Sequence, residues 1–469
     1  MAQNFIGCDR EQAFLMPPSV RDWLPGDHLA WFVLGAVERL DLGEFYGAYR
    51  LDGQGRAAYD PGMMVALLLY AYAIGVRSAR AIERRCVEDV AFRVIAANRV
   101  PDHATIARFR AGHQGALGRL FSQVLALCER AGLVSAGVVA IDSTKMEANA
   151  SGLVNASYEQ IAREILEQAA AIDAEEDERF GDRRGDELPP ELADEHSRRR
   201  WLSEALRELE QNAGERPVAA SRPERLAEAK RRLEDQRQLE CDAAAGLAAG
   251  RARRQAELAA QGRKPPGRPP TKPLAVPVTP RGKVNLTDPD SKPVKTHKGF
   301  IQGYNAQAAA TAGQIVIAAD VMVGGIDQGT LEPMLQRVRT ELAAAGASDT
   351  PGVVLADTGY WSSQQINRIV QDGITVLVPP DAQSRGSEPA AGKDKGLWAE
   401  MRSRLKTEEG RDCYRQRQKL IEPVFAQTKI TRGASRFQRR GLAACRSEWR
   451  LITATHNLLK LWKATPAAA

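Results

Sequence analysis

The sequence predicts an α/β protein that carries an all-helical N-terminal domain and an inserted helical hairpin. Two short apolar segments, 137–142 and 353–357, each end in an aspartate, as buried strands that deliver a carboxylate do. Residues 1–130 instead show the helical spacing of apolar residues and little strand signal. From about 152 to 262 the composition shifts to Ala, Glu, Arg, Gln and Leu, which favours long, solvated helices. These three differences in composition and apolar spacing determine the predicted architecture.

In the N-terminal domain, Pro61 is placed where a helix can begin, and apolar residues follow it at helical spacing. Ser78 is a candidate cap for the next helix, and a further helix is expected to start at Thr105 after the Pro101-Asp102 turn. Two short helices around a turn, the second led by Arg108 and Arg110, resemble a helix-turn-helix that binds DNA. A plain helical bundle with solvated arginines explains the same pattern equally well.

The predicted insertion covers 152–262, and its second helix should open with a capping box formed by Ser221 and Glu224. A narrow apolar seam is predicted from two sets of leucines at helical spacing: Leu202, Leu206, Leu209, Leu226 and Leu233. The proline-rich, basic stretch 263–283 reads as an extended linker. The catalytic domain would then consist of 131–151 together with 284–469.

Regular structure returns after the linker. Two strand-like segments, 304–310 and 314–323, flank Thr311-Ala312-Gly313 and predict a β-hairpin. Asp327 is a candidate cap for a helix that runs to about Ala345, and Ile374–Val378 predicts one more buried strand. From about Leu397 onward the chain should be mostly helical and basic.

The two strand-end aspartates, Asp142 and Asp357, are the candidate catalytic residues. A carboxylate at the end of a buried strand is costly unless a cation compensates for it. Adjacent parallel strands would bring both carboxylates to one sheet edge, where ligands of open α/β sheets bind. Such oxygen ligands suit Mg²⁺, or Mn²⁺, and two ions of this type can activate the attacking oxygen and stabilise the leaving one in phosphodiester displacement.

A helix could supply a third acid, and Glu422 is the leading candidate. Tyr414, Arg417 and Lys429 lie nearby in sequence, and Lys429 is two helical turns from the acid. A tyrosine, an arginine and a lysine there would suit a DNA phosphate, although an ordinary charged helix surface gives the same pattern. Pro423 should kink the helix directly after the acid. Rival acids are Asp320, Asp288 and Asp290, with Asp320 the first replacement for Asp357.

Five sequence blocks in this order resemble the DDE transposases of bacterial insertion sequences, in the insertion-sequence-four superfamily. The blocks are Tyr59 to Arg110, Asp142-Ser-Thr-Lys145, Asn285 to Gln307, Ala356-Asp-Thr-Gly-Tyr360 and Tyr414 to Lys429. The resemblance implies an RNase H-like catalytic domain, with Asp142 on the first strand, Asp357 after the fourth and Glu422 on a late helix. It also implies Mg²⁺ and hydrolysis followed by strand transfer at element ends. Four residues separate Arg417 from Glu422 here, whereas the superfamily usually has three.

The expected partner is double-stranded DNA, both element ends and target, bound by a homodimer or larger assembly. Contacts to DNA are predicted for the basic and aromatic residues Lys145, Tyr414, Arg417, Lys429, Arg432, Arg436, Arg439, Arg440, Arg108 and Arg110. The formal charge of +6 alone says little about the partner. It supports DNA because the basic residues are concentrated in the linker and in the C-terminal stretch.

Composition argues against other classes of protein. We expect a cytoplasmic protein, because the N-terminus lacks a secretory signal and the longest apolar run is too short to span a membrane. Six scattered cysteines and six histidines argue against a zinc site, and the sequence contains no nucleotide-binding loop. Two alternatives stay open: a nuclease of the same fold that cuts without joining, and a domesticated DNA-binding protein with structural acids.

Overall fold

The computed structural model describes residues 19–49, 57–180, 221–263, 279–381 and 395–465. The chain divides into two compact units. The first comprises Met1–Glu147 with Tyr304–Ala469, and the second comprises Ala148–Gly303. Each helix in the described ranges is too short or too polar to cross a membrane.

The first unit begins with helices, as the sequence predicts. After a short 3-10 turn at Val20–Trp23, they are α1 Leu29–Val37, α2 Gly43–Tyr46, α3 Pro61–Ala73, α4 Ala79–Glu88, α5 Val90–Ile95, α6 His103–Gly112 and α7 Gln114–Arg130. Pro61 is the first residue of α3, and the Asp60 carboxylate caps that helix by accepting the Met63 N–H. The prediction of a helix at this proline is confirmed.

The predicted pair of short helices differs in detail. A third helix, α5, lies between α4 and α6, so the two arginine-bearing helices are not joined by a simple turn. Ser78 occupies the N-cap position of α4 without a capping hydrogen bond. Helix α6 begins at His103, two residues before the predicted start, because the Asp102 carboxylate accepts the Thr105 N–H.

Eight strands follow in the described ranges: β1 Val138–Glu147, β2 Asn155–Ser157, β3 Lys283–Asn285, β4 Lys292–Thr296, β5 Gly299–Thr311, β6 Val316–Met322, β7 Val353–Leu355 and β8 Thr375–Leu377. In the first unit the sheet has the order β6-β5-β1-β7-β8. β1, β7 and β8 are parallel, and β5 and β6 form an antiparallel pair. The first unit therefore combines a mixed parallel and antiparallel sheet with a helical N-terminal region.

The predicted hairpin and buried strands are confirmed, with two corrections. β1 continues to Glu147 instead of ending at Asp142. The end of the strand is held by the segment before the helix Leu442–Ala464, because the Glu147 N–H donates to the Ser435 carbonyl. The helix expected to be capped by Asp327 begins at Leu331, with Thr330 at the N-cap. The Asp327 carboxylate instead accepts hydrogen bonds from Asn305 and Gln307 and pairs with Lys145.

The C-terminal part of the first unit is helical, as predicted. Its helices are α10 Leu331–Ala345, α11 Ser363–Gln371, α12 Leu397–Lys406, α13 Glu408–Ala426 and α14 Leu442–Ala464. Pro423 lies inside α13, which continues for three more residues and passes into a π-helical turn at Gln427–Thr431. The departure from α-helical geometry therefore begins about one turn after Glu422 instead of directly after it. Helix α14 packs on α7, α3 and β6, and its Trp449 is fully buried.

The described part of the second unit contains the helices α8 Tyr158–Phe180 and α9 Arg222–Ala260. Ser221 and Glu224 form the predicted capping box at the start of α9. The helices pack through a small apolar cluster that includes Leu226 and Leu233 of the predicted seam. In the same unit β2 pairs with β3, and β4 pairs with the first residues of β5. Leu202, Leu206, Leu209 and most of the predicted linker lie outside the described residues.

Candidate active site

Asp142, on β1, and Asp357, two residues after β7, lie at the same end of two neighbouring parallel strands. β1 and β7 are aligned so that Ala140 is opposite Leu355. Continuing that register by two residues places Asp142 opposite Asp357, and side chains two apart on a strand share a face. The parallel pairing therefore brings together two carboxylates that are far apart in sequence.

Asp142 is held by two donors and largely buried. One carboxylate oxygen accepts the Ser143 backbone N–H at 2.7 Å, and the other accepts the Arg417 guanidinium at 2.7 Å. Its side chain is 15% exposed. Burial raises the pKa of Asp142 to about 6, against the opposing effects of the Ser143 N–H and the Arg417 charge. The carboxylate thus stays costly to ionise even with one cation beside it.

Asp357 follows β7 and caps a short 3-10 turn, Thr358–Tyr360. Its carboxylate accepts the Gly359 N–H at 2.9 Å. Burial raises the pKa of Asp357, and the negative charge of Asp327 raises it further. A β-carbon on Gly359 would lie 3.0 Å from the Asp357 carboxylate, a tight contact that a larger residue could make only if the carboxylate shifted.

Glu422 projects from α13 and is 54% exposed. It lies 3.7 Å from the second terminal nitrogen of Arg417, the residue that binds Asp142. Arg417 therefore stands between the two acids. Within the described ranges, no three acidic, histidine or cysteine side chains are arranged closely enough to hold a metal ion.

The donor set nevertheless fits a hard divalent cation in its chemistry. Burial raises the pKa values of Asp142 and Asp357, which means that ionising either carboxyl costs free energy. A divalent cation between them would lower that free-energy cost. The exposed Glu422 carboxylate lies 3.7 Å from the same arginine that binds Asp142. Arg417 supplies the positive charge that contacts Asp142 in this arrangement.

Tyr414, on α13, and Lys429, in the turn after it, contact main chain near the two candidate acids. The Tyr414 hydroxyl donates to the carbonyl of Ala356, the residue before Asp357, at 3.3 Å. The Lys429 ammonium donates to the Lys145 carbonyl at 2.5 Å. Burial raises the pKa of Tyr414 and lowers that of Lys429. Both side chains hold the main chain next to the acids instead of pointing freely outward.

The predicted DNA-contacting arginines separate into two groups. Arg108, Arg436 and Arg440 are exposed. Arg110 is buried and donates to the Tyr72 hydroxyl and the Arg77 carbonyl. Arg432 is also buried.

Arg432 donates to the Ile452 carbonyl and to the hydroxyls of Thr455 and Thr428. Arg439 is half-buried and donates to the Gln114 side chain at 2.8 Å. Burial and these internal bonds keep the guanidinium groups of Arg110 and Arg432 away from a phosphate at the surface. Arg439 is only partly buried, and its bond to Gln114 takes one of the five guanidinium donors.

The rival acids are placed in other environments. Asp320 lies on β6 and forms ion pairs with Arg337 and Arg446, each at 2.9 Å. Asp290, in the second unit, pairs with Arg232 at 3.0 Å, and Asp288 is fully buried there. The sequence predicted only a helix cap for Asp327, whereas in the structure it pairs with Lys145 and its charge acts on Asp357. Its position after β6 carries no local signal, because a loop aspartate usually serves as a cap.

The sheet and its two strand-end carboxylates define an α/β protein with a candidate hard-cation site at the ends of parallel strands. Comparison with protein families adds two matches. Residues 18–112 match a transposase domain (DUF772), and residues 391–462 match a transposase DDE domain. No curated protein and no solved structure matches the chain.

The two matches support a transposase function, and with it an enzyme that acts on DNA. The first covers the N-terminal helices through α6, and the second contains Tyr414, Arg417, Glu422 and Lys429. Transposase domains of the DDE type generally use divalent metal ions. Asp142 and Asp357 lie outside both matched segments.

Proposed function

We propose that the chain is an insertion-sequence DDE transposase of the insertion-sequence-four superfamily, which cleaves DNA at element ends and joins the ends to target DNA. The observation that carries this proposal is the parallel pairing of β1 with β7, which ends two residues before both Asp142 and Asp357, with Arg417 of α13 linking Asp142 to Glu422. These three acids are the proposed catalytic residues. The strand order β6-β5-β1-β7-β8, with an antiparallel pair beside three parallel strands, supports an RNase H-like fold.

Asp142, Asp357 and Glu422 are the residues that would hold two Mg²⁺ ions, or Mn²⁺ in their place. Bound there, the ions would supply activation of the attacking oxygen and neutralisation of the leaving one. The protein's own contribution is orientation. The Ser143 N–H and Arg417 fix the two oxygens of Asp142, and the Gly359 N–H fixes Asp357.

Tyr414 and Lys429 contribute by fixing main chain. Tyr414 holds the carbonyl before Asp357, and Lys429 holds the carbonyl of Lys145, three residues after Asp142. Each bond ties α13, or the turn after it, to one of the strands that carry an acid. The helix that bears Glu422 is thereby set in place relative to both strands.

DNA contact is proposed for the exposed arginines Arg108, Arg436 and Arg440. Contacts of this type position the DNA backbone and weaken as salt rises. The N-terminal helices, residues 1–130, are the proposed DNA-binding domain, and synapsis of two element ends implies at least a dimer. Two alternatives have distinct outcomes: a nuclease would cut without joining, and a domesticated binder would not cut.

The test is cleavage and strand transfer on a plasmid bearing the ends of the element that encodes the chain. Asp142→Asn, Asp357→Asn and Glu422→Gln should each abolish Mg²⁺-dependent cleavage while DNA binding persists. Asp412→Asn, an exposed acid on the same helix as Glu422, is the matched control and should leave the rate unchanged.

Each alternative result points elsewhere. An active Glu422→Gln variant would place the third ligand on another residue. Cleavage without joined product would favour the nuclease. A wild-type protein that binds the element ends but never cuts them, with either Mg²⁺ or Mn²⁺, would favour the domesticated binder.

A further inference from the structure

The ammonium group of Lys145 is surrounded by oxygen acceptors of four residues in the first unit. Its ammonium lies 2.8 Å from the Asn305 side-chain oxygen, 3.1 Å from the Gly325 carbonyl, and 3.3 Å from both Ser143 Oγ and Asp327 Oδ2. The side chain is 22% exposed. An ammonium has three protons, and these acceptors occupy them. Lys145 is therefore an internal cation in this arrangement, and its donors are not directed at a DNA phosphate.

Asp327 is the charged member of this enclosure. Its Oδ1 accepts the Asn305 amide at 2.6 Å and the Gln307 amide at 3.4 Å, while Oδ2 pairs with Lys145. The side chain is 14% exposed. Amides of β5 thus fix one oxygen of the carboxylate and leave the other for the lysine. Such bonds hold the carboxylate in one orientation.

The same carboxylate borders the proposed catalytic acids. The point that a β-carbon on Gly359 would occupy lies 3.0 Å from an oxygen of Asp357 and 3.6 Å from an oxygen of Asp327. Lys145 is on β1, three residues after Asp142, and its carbonyl accepts the Lys429 ammonium. Lys145 therefore joins three elements: its side chain binds the loop after β6, its main chain binds the turn after α13, and its strand carries Asp142.

We infer that Asp327 is a positioning residue of the DDE site, which fixes Lys145 and through it the segment of β1 that carries Asp142. The inference rests on the proposed function. It assigns Lys145 to the internal support of the site, in place of the DNA-phosphate contact predicted from sequence. Removing the Asp327 charge would leave a largely buried ammonium without its counter-ion, which such a site tolerates poorly.

The test is a double-mutant cycle with Asp327→Asn, Lys145→Met and the double variant, assayed for cleavage at saturating DNA and for DNA affinity across a salt series. Each single change should lower the cleavage rate by about 10-fold or more, as loss of a supporting residue does. The DNA dissociation constant should stay within about twofold, with an unchanged salt dependence. The double variant should be no slower than the worse single variant, because both changes remove the same pair.

Two further variants separate support of the site from general folding. Lys145→Arg keeps the positive charge and should be faster than Lys145→Met. Asp372→Asn removes an exposed acid that pairs with Arg339 and should behave as wild type. Thermal unfolding of every variant shows which are folded. If Asp327→Asn does not fold, the DNA affinity and salt slope of Lys145→Met still distinguish internal support from a phosphate contact.

The inference is overturned by an Asp327→Asn variant that cuts at the wild-type rate, or by single effects that multiply in the double variant. It is also overturned if Lys145→Met weakens DNA binding and lowers the salt slope by about one charge, which a phosphate contact would do. In each of these cases the wild-type protein cuts, so the proposed function stands. A wild-type protein that never cuts refutes the proposed function and this inference together.

Discussion

Replacing Asp142 with asparagine should stabilise the metal-free protein while abolishing its activity. The pKa of this carboxyl rises from 3.8 to about 6 on folding, chiefly through burial. A group with a raised folded pKa favours the folded state at low pH, and that contribution is lost as pH rises from about 4 through 6. Above this window the ionised carboxylate costs about 3 kcal/mol, at roughly 1.4 kcal/mol per pKa unit. Asparagine carries no charge and avoids that cost.

The assay is thermal unfolding in a chelator at two pH values. At pH 8, Asp142→Asn should melt higher than wild type, by on the order of 5 °C for a gain of this size in a chain of this length. At pH 4 the advantage should shrink to about 0.5 kcal/mol, because the folded wild-type carboxyl is then protonated. Added Mg²⁺ should raise the melting temperature of wild type and not of the variant, if Asp142 binds the ion.

The matched control is Asp412→Asn, whose side chain is 63% exposed. Its melting temperature should follow that of wild type at both pH values, as surface changes usually do. A metal-free Asp142→Asn protein that melts lower than wild type at pH 8 would refute the argument. The Arg417 ion pair would then contribute more to folding than burial of the Asp142 charge costs.

Three further predictions concern the surroundings of the site. Arg417→Gln removes a charge that lowers the pKa of Asp142, so that pKa should rise further above about 6 and the acidic limb of the cleavage-rate profile should move to higher pH. Glu448→Gln removes the charge that pairs with the buried Arg77, whereas Arg417 keeps Glu422 within 3.7 Å after Asp142→Asn, so urea unfolding should here show a loss of stability on the order of 3 kcal/mol. Gly75→Ala should lower the melting temperature, because Gly75 has φ +87° and a β-carbon there would lie 2.7 Å from the Arg432 carbonyl.

Their controls come from the same chain. Arg415→Gln changes an exposed arginine on α13 and should leave the pH profile in place. Gly346→Ala has a similar positive φ, +76°, but a β-carbon there meets no atom within 4 Å, so it should cost less than Gly75→Ala. An equal fall in melting temperature for the two variants would mean that backbone strain alone, without the close contact at Gly75, determines the loss of stability. A Glu448→Gln protein as stable as wild type would contradict the role given to that buried ion pair.

Local signals in the sequence determined many elements of the fold. Pro61 with Asp60 set the start of α3, and Ser221 with Glu224 formed the capping box of α9. The apolar segments that end near Asp142 and Asp357 are strands, and the hairpin around Thr311 is present. These features depend on a few neighbouring residues, so periodicity, caps and turn chemistry were enough to predict them.

Tertiary structure alone decided which side chains meet. Arg417 reaches Asp142 across 275 residues of sequence, and Lys145 reaches Asp327 across 182. Neither pairing leaves a local pattern, since each depends on how the late helix and the loop after β6 lie against β1. For the same reason the sequence could not separate the exposed Arg108 from the buried Arg110 two residues later: helix position fixes which face each residue occupies, and only packing decides which face is covered.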